Sequence, residues 1–450
     1  MARRLDLLPK AHLHLHFTGA MRRGTLIELA AAHGISLPDA FGSDWPPRLR
    51  GTDERGWFRF QRLYDCARAV LRTEADIRRL ITEMAQDEVA EGSGWLEYQV
   101  DPSGYASRFG GLTSFVELVL DATAAAARST GLGIGVILAA NRTRHPLDAR
   151  TTARLAASHA GGGVVGFGLS NDERRGAPAD FAAAFRIASR AGLLAVPHGG
   201  ELTGAASVRA CIDELNADRI GHGVAAATEP ALVRRLAERE ITLEVCPASN
   251  IALGVAAAPA DVPLVQLLDA GVPVALGADD PLLFGSRLTA QYELARGVYG
   301  LADDRLASLA RMSVLGSAVP ADRGERLLAG INAWLAAPDP AAGTPAGIPG
   351  GPRDTVAGTA QQAAPGTVAA SGPGPSPGPG SGPGPNSGAG AGYSVTPTST
   401  GSLASSIPNT ERTPATISMA SATRSAVLAP PRLVSARVCL AEILAAPPAG

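Results

Sequence analysis

Lysine is almost missing from this 450-residue chain: Lys10 is the only one, and every other basic side chain is Arg or His. Lys plus Arg (40) nearly balances Asp plus Glu (42), for a formal charge of -2. That balance excludes the broad basic footprint of a nucleic-acid binder and leaves no acidic tail. Cysteine is scarce as well. Cys66, Cys211, Cys246 and Cys439 are far apart with no CxxC pair, which excludes a thiolate zinc motif and a disulfide framework and fits a reducing cytoplasm. No run of about 20 apolar residues is present to span a bilayer. Met1 to Lys10 has no apolar stretch of the kind a secretory signal needs. Aromatic residues make up only 4% and charged residues 18%, yet 46% hydrophobic content is enough for a sizeable core. The expectation is a soluble, cytoplasmic protein.

Glycine (52) and proline (34) are plentiful but unevenly spread, and they divide the chain. Thr355 to Thr410 contains no Asp, Glu, Lys or Arg, Tyr393 is its only aromatic, and Ser371 to Gly392 is almost pure Gly, Pro and Ser. Such a segment buries too little apolar surface to offset chain entropy. Residues 338–450 are therefore expected to be a disordered low-complexity tail, with a possible short helix around Val438 to Ala446. Residues 1–337 are expected to form one globular domain.

Within that domain, short apolar runs alternate with longer amphipathic stretches, the pattern of βα repeats around a parallel sheet. Eight strand candidates stand out: Ala11–Phe17, Trp95–Val100, Gly133–Ala139, Gly163–Leu169, Leu193–Pro197, Arg219–Gly223, Thr242–Cys246 and Pro273–Gly277. Helical stretches such as Pro178–Ala191, Val208–Asn216, Glu229–Arg239 and Leu264–Ala270 lie between them. Eight such units are the size of a (β/α)8 barrel. An open doubly wound sheet lacks its GxGxxG after the first strand. The excursion from Gly19 to Ser93 is too long for one crossover helix. It is expected to hold extra helices over one mouth of the barrel, among them an aromatic-rich one at Trp57–Leu71.

Five of the eight histidines, His12, His14, His16, His198 and His222, fall in or directly after strand candidates. In a barrel of this type those strand ends converge on the active site. Period two places His12, His14 and His16 on one face, the interior, and two imidazoles spaced i, i+2 suit a divalent cation, most naturally zinc. Spacing alone does not say which two of the three bind. His198 can add a third nitrogen, with Glu201 three residues on. His222 sits between two glycines, and Asp279-Asp280-Pro281 puts adjacent carboxylates at the mouth. A divalent cation with an open position lowers the pKa of bound water towards neutrality, and a nearby carboxyl and imidazole can shuttle protons. The set therefore points to hydrolysis. No GxSxG elbow supplies a rival nucleophile, and Cys246 has no His-Asn context. A binuclear centre bridged by a carbamylated strand lysine is unavailable, because Lys10 precedes the first strand, so one metal is expected.

Taken in order, these segments resemble the adenosine deaminase family. The matching stretches are Pro9-Lys-Ala-His-Leu-His-Leu-His-Phe-Thr-Gly, Leu169-Ser-Asn-Asp-Glu, His198-Gly-Gly-Glu201, Arg219-Ile-Gly-His-Gly-Val, Cys246-Pro-Ala-Ser-Asn250 and Asp279-Asp280-Pro-Leu-Leu-Phe. They span most of residues 9–337. The resemblance implies one zinc ion held by His14, His16, His198 and Asp279, with His12 outside the ligand set. It implies that Glu201 protonates purine N1, His222 orients and deprotonates the attacking water, and Asp280 meets N7. Trp57, Phe58 and Phe60 are candidates for an apolar wall over the substrate.

Two departures bear on the substrate. Thr18 stands where adenosine-specific members carry an acidic residue for the ribose 5′ region, with Arg22 and Arg23 just beyond. Asn171 replaces a glycine whose backbone N–H meets the purine, and it keeps that N–H. The expected activity is zinc-dependent removal of the 6-amino group from an adenine nucleoside, with a relaxed 5′ side that admits an aminodeoxyfutalosine-type carboxylate. The substrate-binding set is then His16, Thr18, Asn171 and Asp280, and the catalytic set Glu201, His222 and Asp279. Free adenine is the second enzyme reading. A non-catalytic metal-binding barrel is the third, disfavoured because a structural metal needs no proton shuttle.

Overall fold

The structure, a computed structural model, describes residues 3–338. The tail expected over 338–450, including Val438 to Ala446, lies essentially outside them. Eight parallel strands follow chain order around the sheet: β1 (Lys10–His12), β2 (Ser93–Val100), β3 (Gly133–Asn141), β4 (Val164–Ser170), β5 (Leu194–Gly199), β6 (Arg219–His222), β7 (Thr242–Val245) and β8 (Val274–Leu276). Every strand candidate is there. The first is shorter than its sequence pattern, because regular pairing with β2 ends at His12 and the chain then bridges to two neighbours. Leu15 takes the N–H of Gln99 at 2.8 Å, and Phe17 donates to Gln99 at 2.9 Å. On the other side Asp279 donates to the His14 carbonyl at 3.0 Å, and His16 to the Asp279 carbonyl at 2.9 Å. That last pair closes the ring of strands, so this is a (β/α)8 barrel.

The long excursion holds α1 (Arg23–Ala32), α2 (Glu54–Ala69) and α3 (Glu74–Ala90). Asp53 caps α2 by accepting from Gly56 N–H at 2.7 Å, and Thr73 with Asp76 forms a capping box on α3. Single helices then return the chain between strands: α4 (Leu112–Thr130), α5 (Pro146–Ser158), α6 (Pro178–Arg190), α7 (Ala205–Leu215) and α8 (Pro230–Glu238). Three of these, α5, α6 and α8, begin with proline, whose fixed φ and missing N–H cost nothing there. After β7 come α9 (Pro247–Ala252) and α10 (Leu264–Asp269). After β8 come α11 (Pro281–Phe284), α12 (Leu288–Gly297), α13 (Asp303–Leu315) and α14 (Ala321–Ala336). No helix among the described residues is long and apolar enough to cross a membrane.

Aliphatic and aromatic side chains fill the space between the strands and the helix ring. The barrel lumen is different. Arg219 of β6 reaches across to Glu97 of β2 at 2.5 Å and to Glu244 of β7 at 2.7 Å, all three buried. β2 and β6 are not neighbours in the sheet, so this ion triad spans the lumen. Charges are tolerated there because each one meets an opposite partner at hydrogen-bond distance.

Candidate active site

The ring closure between Leu15 and Asp279 draws three side chains from opposite ends of the sequence to one point: His14, His16 and Asp279. His198 arrives at the end of β5, and its Nδ1–H donates to the Leu169 carbonyl at 3.1 Å, leaving Nε2 a bare lone pair. That Nε2 faces His16 Nε2 at 3.2 Å. His14 Nδ1–H donates to Glu244 at 2.8 Å, while His14 Nε2 is buried with no partner. Asp279 Oδ1 stands 3.2 Å from His16 Nε2 and 3.6 Å from His14 Nε2. The candidate ligand atoms of His14, His16 and His198 all lie within 4.8 Å of one another, as do those of His14, His222 and Asp279. Imidazole nitrogens converging with a carboxylate make a donor set that fits a divalent transition cation. The buried, partnerless His14 nitrogen has no other evident use.

His12 departs from its expected orientation. Its Nδ1–H meets Glu88 of α3 at 2.9 Å, and its Nε2 accepts from Ala278 N–H at 3.0 Å. From the last paired residue of β1 it ties that strand and the β8 end to the helix layer, while His14 and His16 beyond it converge on Asp279.

Around this cluster stand the proton-handling groups. His222 Nε2 is 3.6 Å from Glu201 Oε1 and 4.0 Å from Asp279 Oδ2. Ser249 donates to Asp279 Oδ2 at 2.6 Å, fixing the carboxylate. Burial holds the Glu201 carboxyl well above its ordinary range, and the charges of Asp279 and Glu173 push the same way. Asp279 moves oppositely: burial alone would raise it, but the adjacent imidazoles of His14 and His16 hold it well below the carboxylate range. Burial and the Asp279 charge lift Asp280 to about 7. Burial, reinforced by His14, lowers His222 to about 4. Two nearby carboxyls driven apart in this way favour one as proton donor and the other as anion.

The local backbone is made for this crowding. Among the described residues, Asn171, His222 and Asp279 are three of only five non-glycine positions with positive φ (80°, 62° and 60°), a strain that concentrates at functional sites. A Cβ on Gly19 would stand 1.8 Å from Asp280 Oδ1, and one on Gly221 2.8 Å from His14 Cε1, so both positions need glycine.

A cavity opens over the cluster. His16, His198, Glu201, His222, Asp279 and Asp280 form its floor and one side. Trp57, Phe60 and Tyr64 line it from α2, where a spacing of three and four residues puts them on one helix face. Phe58 falls outside that stripe and is 53% exposed. Asn171 lines the cavity as expected.

Thr18 does not. It is fully buried behind the wall, with its hydroxyl on Tyr105. Arg22 and Arg23 are also elsewhere: Arg22 pairs with Asp87 of α3, and Arg23 donates to the Phe41 and Gly42 carbonyls. The arginine at the cavity is Arg68 of α2, lying over the rings of Tyr64 and Tyr105. Gln99, Asp101 and Asn141, at the ends of β2 and β3, complete a polar flank that sequence reasoning passed over. Only their place at strand ends marks them out. Gln99 is buried with both amide atoms unpartnered, which leaves a donor and an acceptor for a bound molecule.

The chain is similar to known deaminases over this domain. The family model for adenosine deaminase matches residues 9–334. A Streptomyces virginiae protein, provisionally named an adenosine/adenine deaminase, is 65% identical over 334 residues, 74% of this chain and 98% of its own length. An aminodeoxyfutalosine deaminase of Streptomyces coelicolor is 34% identical over 332 residues, 73% of this chain and 85% of its own. The solved adenine deaminase of Arthrobacter aurescens superposes with a TM-score of 0.68 at 30% identity, covering 73% of this chain and 99% of that one. Barrel, histidine cluster and ordered motifs thus converge: the chain belongs to the adenosine deaminase family and is a metal-dependent hydrolytic deaminase.

Proposed function

We propose that the protein hydrolyses the 6-amino group from an adenine nucleoside, using one zinc ion held by His14, His16, His198 and Asp279. The observation that carries the reading is the divergence of Glu201 and Asp279 on either side of His222. When bound, the cation lowers the pKa of water towards neutrality and polarises it for attack.

The chain's own residues handle the rest. Glu201, protonated at neutral pH, donates to purine N1 and makes C6 electrophilic. His222, kept neutral by burial, takes the proton of the attacking water. It delivers that proton to the departing amine, so that ammonia leaves the tetrahedral carbon. Glu201 recovers a proton as the C6 hydroxyl becomes a carbonyl, and the sum is water consumed and ammonia released. Asp280, lifted to about 7, shares a proton with N7. The backbone N–H of Asn171 meets the far side of the ring, and Trp57 and Phe60 cover its face.

The polar flank of Arg68, Gln99, Asp101 and Asn141 favours a nucleoside, because a purine seated on Glu201 and Asp280 leaves these groups to the sugar. Arg68, the cation at the cavity, suits a carboxylate-bearing 5′ substituent, as in aminodeoxyfutalosine, whereas Thr18, buried on Tyr105, takes no part. A second reading is free adenine, the substrate named for the Arthrobacter relative, which is 30% identical to this chain. Ammonia release from adenosine, deoxyadenosine, a 5′-modified adenosine, AMP and adenine decides between them. A nucleoside should exceed adenine at least about tenfold in kcat/KM, a difference of about 1.4 kcal/mol in transition-state binding. The reverse order would replace this reading with the second.

A further inference from the structure

Glu173 follows β4 and touches neither substrate nor the cation cluster in the chemistry above, where only its charge bears on Glu201, yet its carboxylate is the most heavily bonded in the site. Its Oε2 accepts from the N–H groups of Glu201 at 2.9 Å, Leu202 at 2.6 Å and Thr203 at 3.1 Å. Its Oε1 accepts from Gly200 N–H and from the Ser207 hydroxyl of α7. Four successive backbone N–H groups converging on one anion form a nest, an arrangement that commonly binds external anions. Here the anion is internal, 7% exposed.

The other end of the same strap is held too. Buried Arg142, beyond β3, donates to the His198 carbonyl at 2.6 Å. The segment His198–Thr203 is therefore clamped at a carbonyl by a cation and at its N–H groups by an anion. Glu201 projects from the middle of it, 3.6 Å from His222. Beyond β5, a turn entered through Gly200 at a φ of 71° would otherwise be free to swing.

We propose that Glu173 is the positioning residue of the proton donor, its carboxylate seated in the Gly200–Thr203 nest so that the Glu201 carboxyl points at the reacting purine edge. The proposal rests on Glu201 acting as the acid. A glutamine at 173 keeps the shape but turns one acceptor oxygen into an NH2 group facing backbone N–H donors, so the nest opens.

The test is a double-mutant cycle on the full zinc-loaded chain: Glu173→Gln, Glu201→Gln and both together, read as kcat and KM for the best substrate of the panel. Glu173→Gln should lower kcat about 100-fold with KM little changed, the scale of a donor displaced by about an ångström. In the Glu201→Gln background the same change should cost less than about threefold, because the group it positions is gone. An equal loss in both backgrounds, or an undiminished kcat in Glu173→Gln, overturns the assignment while leaving Glu201 as the acid. Full activity in Glu201→Gln removes the acid reading itself, and the role of Glu173 falls with it. If Glu173→Gln does not fold, Ser207→Ala carries the cycle by removing one donor: a smaller kcat loss, again confined to chains with Glu201, is expected.

Discussion

The Glu244 carboxylate lies 2.8 Å from Nδ1 of His14 and 2.7 Å, through its other oxygen, from Nε of Arg219. One buried anion thus links a candidate metal ligand to the ion triad of the lumen. It also fixes the imidazole tautomer, leaving Nε2 as the lone-pair nitrogen. Glu244→Gln should weaken metal binding about 10- to 100-fold, the usual cost of losing a carboxylate behind a ligating histidine. Chelator competition on the purified protein measures this, and unchanged affinity would mean that His14 is not a ligand.

Arg219 predicts a stability effect rather than a catalytic one. It is 1% exposed between Glu97 and Glu244. Arg219→Met strands two buried carboxylates and should cost about 3–5 kcal/mol in denaturant unfolding. A loss below about 1 kcal/mol would show that the lumen admits water or protonates the glutamates.

For Glu201, acid catalysis requires the protonated carboxyl. Burial and the Asp279 and Glu173 charges raise its pKa, so the competent form persists to higher pH than in an ordinary carboxyl and is lost as pH rises through the raised value. The kcat profile should therefore fall on the alkaline side. Glu201→Gln should lower ammonia release about 10²- to 10⁴-fold at neutral pH while the metal stays bound. Wild-type turnover in that variant would refute the assigned role.

Lys10 offers a readout few chains allow. It is the only lysine, fully buried, donating to the Leu5 and Leu8 carbonyls at 2.9 and 2.8 Å. Burial brings its amine down from 10.5 to about 8. A chain labelled at lysine Cε should show a single side-chain resonance titrating near 8. Between about 8 and 10.5 the unfolded chain binds the extra proton, so stability should rise with pH across that window. A resonance titrating above 10 would contradict the burial.

Removing the residues after Pro338 should leave kcat/KM unchanged. The family match ends at residue 334, and the Streptomyces virginiae relative is covered over 98% of its length without the tail. Steady-state comparison of the two forms checks it, and a loss beyond about tenfold (about 1.4 kcal/mol) would give the tail a role in the site.

The sequence by itself determined the eight βα units, because apolar runs of strand length and amphipathic runs of helix length carry their periods locally. It also brought out the histidines and acids of the cluster, since glycine-flanked polar residues at strand ends stand out against an apolar pattern. Tertiary structure alone decided which partners individual side chains find. His12 turns to Glu88, Thr18 to Tyr105 and Arg22 to Asp87, while Arg68 comes to the cavity from a helix. It also decided the work of Glu173, whose partners sit 27 to 34 residues away. Hydrogen bonds between loops of different βα units depend on how the closed barrel sets those loops side by side, and no local period encodes that.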